Sequence, residues 1–150
     1  MKPAWILVFA LIGAIAFAQP PSETSPAAAT TKQLMLDLIH PASNDILLFV
    51  NRGAPKDEVA WATVRRSALT LAESGNLLTM RGRARDQGDW AKDARMLADV
   101  GTAAYKAAQA KDFDALAALT ESLDASCTTC HKQYRPNVFP HNLEATGGSK

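Results

Sequence analysis

Four stretches of apolar residues at helical spacing, each closed by a chain breaker, constrain the fold of this chain more than any other feature. Between Thr31 and Arg135 the apolar positions follow the roughly 3.6-residue period of a helix, and no stretch alternates as a half-buried strand would. The breakers are Gly53-Ala54-Pro55, the loop from Arg81 to Gly88, the pair Lys111-Asp112, and Pro136. Four amphipathic helices of about twenty residues with short connections predict an all-α fold, an antiparallel up-down-up-down four-helix bundle over residues 31–135.

Helix A starts near Thr31. Laid out at about 100° per residue, Met35, Leu38, Ile39, Ala42, Ile46 and Phe49 share one stripe, with Met35 near its middle and Asp37, His40 and Asn44 opposite. Pro41 removes a backbone donor and predicts a kink or break there. Helix B, from about Asp57 to Met80, places Trp61, Val64, Ala68, Leu71, Ala72 and Leu78 at core spacing, with Gly75 open to a close helix contact. Asp89 is the expected N-cap of helix C, which carries Trp90, Ala94, Leu97, Ala98, Ala104 and Tyr105. Asp112 caps helix D, whose stripe of Phe113, Leu116, Ala117, Thr120 and Leu123 runs on into Cys127, Cys130, His131 and Tyr134. Pro136 stops it, and residues 136–150 read as an irregular tail.

That last stripe contains the only two cysteines, in the run Cys127-Thr128-Thr129-Cys130-His131. Two cysteines three apart with a histidine directly after the second form the attachment pattern of c-type haem. On a helix these positions are i, i+3 and i+4, so all three side chains leave one face. The thiols become thioethers on the porphyrin vinyl groups and the imidazole reaches the iron, giving one covalently attached haem c per chain. Three other readings compete. Structural zinc wants four ligands, and the remaining His40 and His141 form no second pair at comparable spacing. A thioredoxin-like dithiol sits where a strand enters a helix N-terminus, whereas the residues before Cys127 read as a long helix. A plain disulfide would suit an exported protein but makes no use of His131.

Export has its own signal. Lys2, the apolar run Ala4–Phe17 and Ala16-Phe17-Ala18 ahead of Gln19 have the order of a secretory signal peptide over residues 1–18. The run is shorter than the roughly 20 residues of a spanning helix, so cleavage is favoured over stable membrane insertion. A periplasmic location follows, in agreement with the motif, because covalent haem attachment in bacteria is completed outside the cytoplasm. Residues 19–30 (QPPSETSPAAAT) hold no aromatic residue and read as a disordered linker. Without Lys2, the 16 basic residues become 15 against 15 acidic ones, which gives nucleic-acid binding no electrostatic support.

The end of helix D, Cys-Thr-Thr-Cys-His-Lys-Gln-Tyr-Arg, resembles the CxxCHxxYR ending of class II c-type cytochromes, the cytochrome c prime family. The resemblance covers the bundle in helix order, with its specific part at residues 127–135. It implies Cys127 and Cys130 as thioether positions, His131 as the proximal iron ligand, and Tyr134 and Arg135 beside the proximal face. It also implies that the sixth iron position is either open behind an apolar helix A residue, as in gas binders, or filled by a helix A methionine, as in low-spin electron carriers. Homodimers are common in that family, but helix periodicity here singles out no exposed interface. An uninterrupted first helix is usual there, and Pro41 departs from it.

Met35, on the core stripe at the haem end, is the candidate sixth ligand; the competing reading is a gap-filling core methionine. Met80 is an alternative ligand near a helix end, Met96 reads as core, and His40 falls on the polar side of helix A. Arg81, Arg83 and Arg85 either face a haem propionate, dock an acidic redox partner, or form a solvated loop. The expected function is single-electron transfer to periplasmic redox partner proteins. No acid, base and nucleophile constellation points to an enzyme. The alternatives are a five-coordinate haem module that binds or senses NO or CO, and an assembly subunit stabilised by its haem.

Overall fold

Thr30 opens the first helix. Its hydroxyl accepts from the Gln33 N–H at 3.2 Å, and the Gln33 side chain accepts from the Thr30 N–H at 3.0 Å, forming a capping box. In the computed structural model, which describes residues 27–53, 57–86 and 88–137, every regular element is helical. The signal peptide expected over 1–18, residues 19–26 of the linker and residues 138–150 of the tail lie outside the described residues. Of the expected linker, Ala29 and Thr30 are tied down: the Arg83 guanidinium donates to the Ala29 carbonyl, and Thr30 caps the helix.

From Thr30 the chain runs through α1 (Thr31–Leu34), a π-helical segment (Met35–Ile39) and α2 (His40–Asn51). Pro41 therefore does not break the helix. The π segment closes with the His40 N–H donating to the Met35 carbonyl, and Pro41 falls in the first turn of α2, where a missing N–H loses no helical bond. The wider turn shifts the phase of the apolar stripe. Leu34, five residues before Ile39, is buried, whereas Leu38, expected in the core, is 42% exposed.

Asp57 caps α3 (Glu58–Leu78) by accepting from the Ala60 N–H at 2.7 Å. All six residues expected on its core face are buried. In α4 (Asp89–Ala110) the expected cap, Asp89, is instead the first helical residue. Asp86 does the capping, accepting from the N–H groups of Gly88 at 2.9 Å and Trp90 at 3.0 Å. An aspartate carboxylate naturally reaches the backbone two residues on, and Gly88, at the cap position, has no side chain to compete.

Lys111 turns the chain in the left-handed region at φ 55°, and Asp112 caps α5 (Phe113–Ala117) through the Ala115 N–H at 2.9 Å. The single helix expected from here to Pro136 is divided. The Leu119 N–H bonds to Leu116 and the Thr120 hydroxyl takes the Ala117 carbonyl, a tighter turn that separates α5 from α6 (Thr120–Tyr134).

The most extensive packing is between α3 and α4, with α2 against α3 and α6 against α4. Gly75 and Gly101 permit it. A Cβ on Gly75 would lie 2.6 Å from the Ala94 carbonyl oxygen, and one on Gly101 would lie 2.4 Å from the Ala72 nitrogen. Phe49 packs edge-on against Trp61 at 4.8 Å and tilted against Phe113 at 6.3 Å. The exposed Lys111–Glu58 ion pair ties the end of α4 to the start of α3. Among the described residues, no helix is long and apolar enough to cross a membrane.

Glycine to alanine in a helix ordinarily stabilises by about 1 kcal/mol. At Gly101 the sign is expected to reverse, because the clash is with backbone that cannot rotate away. Gly101→Ala should lose about 1–3 kcal/mol as an overpacked core does. The check is a urea midpoint; one that is unchanged or raised contradicts the close approach of α3 and α4.

Candidate functional site

The last turns of α6 supply the site. Cys127, Cys130 and His131 are half-buried on one helix face and line a small cavity of about 30 Å³, together with Met35 and Ile39 from the π segment, Leu78 from α3, and Trp90 and Asp93 from α4. A larger cleft of about 410 Å³ shares Met35, Trp90, Cys130 and His131 and opens between Lys32, Arg85, Tyr134 and Arg135. The outer cleft falls in the range of cofactor sites, roughly 300–1,000 Å³, and the inner cavity is far smaller. The walls of the inner cavity are almost wholly apolar, because Ile39, Leu78, Trp90, Ala94 and Leu97 are the inward residues of three helices.

The structure brings together Met35, Cys127, Cys130, His131, Tyr134 and Arg135, all singled out in the sequence. Met80 is not among them. It lines a separate cleft with Leu34 and Leu77, and its sulfur accepts from Arg83 at 3.4 Å. His40 is exposed, and Met96 is half-buried away from both cavities. The arginine loop divides. Arg81 is exposed and Arg85 lines the outer cleft. Arg83 is buried, donating to the carbonyls of Ala29 at 3.1 and 3.2 Å and Leu77 at 3.1 Å.

Protonation states narrow the chemistry. Burial, then the facing Asp93 charge, pushes the Cys130 thiol up to about 12; burial also raises Cys127. The two thiols are not joined in a disulfide. Both stay protonated at neutral pH, the opposite of a redox dithiol whose thiolate is stabilised at a helix N-terminus. Among the described residues, no group of three or more His, Cys, Asp or Glu side chains is arranged to hold a metal ion, so the tetrahedral zinc reading lacks a donor set. His131 is held below its ordinary value by burial first and by the Arg135 charge second, which keeps the imidazole neutral, the form that binds iron.

Two aspartates escaped the reading of the sequence. Asp93 is 4% exposed in the inner cavity, and its Oδ2 has no hydrogen-bond partner. Burial, then the Asp89 charge, raises its carboxyl above the ordinary 3.8. Its signal was an acid inside an apolar stripe, three residues after Trp90 and four before Leu97. Asp86 accepts from the Tyr134 hydroxyl as well as capping α4, so it fastens the end of α6 to the start of α4. Trp90 completes the junction, donating from its indole N–H to the Leu78 carbonyl at 2.8 Å and meeting the Tyr134 ring edge-on at 4.8 Å. No protein-family model, curated protein or solved structure matches the chain.

The Tyr134 hydroxyl, then the Trp90 N–H, holds the Asp86 carboxyl below its ordinary 3.8. A depressed folded value means that the stabilisation is present above the unfolded value and is lost as pH falls through the folded one. The difference in thermal midpoint between the wild type and Tyr134→Phe should therefore be constant from neutral pH to about 5 and shrink below the ordinary 3.8. A difference that does not change with acidification contradicts the Asp86–Tyr134 link.

Proposed function

We propose that this chain is a periplasmic c-type cytochrome of the class II kind, an antiparallel up-down-up-down four-helix bundle that carries single electrons and is not an enzyme. The observation that carries the reading is the shared lining: Met35, Cys130 and His131 border both cavities, and Cys127 borders the inner one with them. Haem c, when bound, supplies the one-electron ferrous–ferric couple. Cys127 and Cys130 would hold the group through two thioether bonds. His131, neutral and half-buried, and Met35, half-buried, would supply the protein's ligands to the iron.

The remaining residues fit the same group. Ile39, Leu78, Trp90 and Leu97 exclude water and lower the local dielectric, while the thioether of Met35 favours ferrous iron. Lys32, Arg85 and Arg135 on the outer cleft supply positive charge where propionate carboxylates need counter-ions. Tyr134 and Arg135 lie on the His131 side, as in the resembled family. Electron exchange with a periplasmic redox protein takes place at this open end.

The test is an absorption spectrum of the matured protein, oxidised and reduced, with and without carbon monoxide, beside Met35→Ala. The expected result is low-spin iron with a sulfur-to-iron charge-transfer band that disappears in the variant, which then binds carbon monoxide. High-spin wild-type iron that binds carbon monoxide readily would remove Met35 from the coordination sphere and put gas binding first. Cys127→Ser with Cys130→Ser is expected to lose the haem and much of the helical circular dichroism; a cooperative, fully helical double variant contradicts haem as part of the core.

A further inference from the structure

We infer that Pro41 is the positioning residue for the distal side of this site: the π turn it imposes rotates Met35 out of the helix seam and into the cavities lined by His131. The inference rests on the reading of Met35 as the iron ligand. In a continuous α-helix the N–H of residue 41 would bond to the carbonyl of Asp37, and a proline ring there clashes with that carbonyl. The chain avoids the clash by winding Met35–Ile39 as a π segment and restarting an α-helix at His40, with Pro41 in its first turn. Such single π turns are rare, and this segment contains no glycine or serine to cause one otherwise.

The consequence is a shift of register. A π turn holds one residue more than an α turn, so everything before it is turned by about 100° relative to an unbroken helix. In an unbroken helix Met35 lies four residues before Ile39, in the core seam. Here Leu34, five before Ile39, takes that place: it is 3% exposed and faces Leu77, Met80 and Arg83. Met35 is displaced into the half-buried position that borders both haem-side cavities. Leu36 comes next, 59% exposed at the outer cleft.

The experiment compares the sulfur-to-iron band of the haem-loaded wild type with that of Pro41→Ala. Restoring the N–H lets the segment wind as α, which moves Met35 into the place of Leu34 and Leu36 into that of Met35. The band should be lost in Pro41→Ala, with carbon monoxide binding gained and helical circular dichroism kept. It should return in the triple variant Pro41→Ala, Met35→Leu, Leu36→Met. A Pro41→Ala protein that keeps the wild-type band overturns the inference and leaves Met35 ligation standing. Loss of the band without recovery in the triple variant overturns it too, since the effect is then not one of register. A wild type that never shows the band brings down the ligand reading, and the inference with it.

Discussion

Trp90 joins three elements at the end of the bundle where the site lies. Its indole N–H is satisfied by the Leu78 carbonyl at the end of α3, its backbone N–H by Asp86, and its ring meets Tyr134 at the end of α6. Burying a large aromatic group with its one donor paired is among the strongest contributions a single side chain makes, and truncations of this kind typically lose about 3–5 kcal/mol. The gain here is also positional. With the ends of α3 and α6 fixed to the start of α4, His131 and both cysteines have one orientation relative to the cavity that Trp90 walls.

Against that apolar frame the polar groups are few, and each has a consequence. Asp93 sits in the inner cavity beside Cys130, and its unpartnered oxygen marks a place where burial of the fold alone leaves an acceptor unsatisfied. The same burial keeps both thiols protonated and His131 neutral. Arg83 is turned inward to hold the segment before α1. Its neighbour Arg85, two residues on, lines the outer cleft. One loop thus serves both the packing of the first helix and the charge of the site.

How much could be read in the sequence depended on how regular the backbone is. In α3 the period is unbroken, and every residue expected in the core is buried there. In the first helix the stripe was right from Ile39 onward. Before it, the π turn exchanges Leu34 for Leu38, because periodicity assumes a constant rise and turn that Pro41 prevents. For α4 the pattern predicts Asp89 as the cap, since it favours an acid next to the first apolar residue; Asp86 reaches the helix start through a turn instead. The divided helix D turns on where the Leu119 N–H and the Thr120 hydroxyl bond, which composition does not encode. Cys127, Cys130 and His131 stand at i, i+3 and i+4, so their common helix face follows from the regular helical period alone. Asp93 and Asp86 were not legible in this way, since their roles arise from contacts between elements.

The most direct measurement is the mass of the exported protein, intact and after digestion, with the thiols challenged by an alkylating reagent. A covalent cytochrome requires a chain heavier by one haem, resistant to acid–acetone extraction, with the peptide containing Cys127 and Cys130 carrying the added mass and neither thiol alkylated. A chain at its bare polypeptide mass, with both cysteines alkylated, would contradict haem attachment and with it electron transfer by this fold.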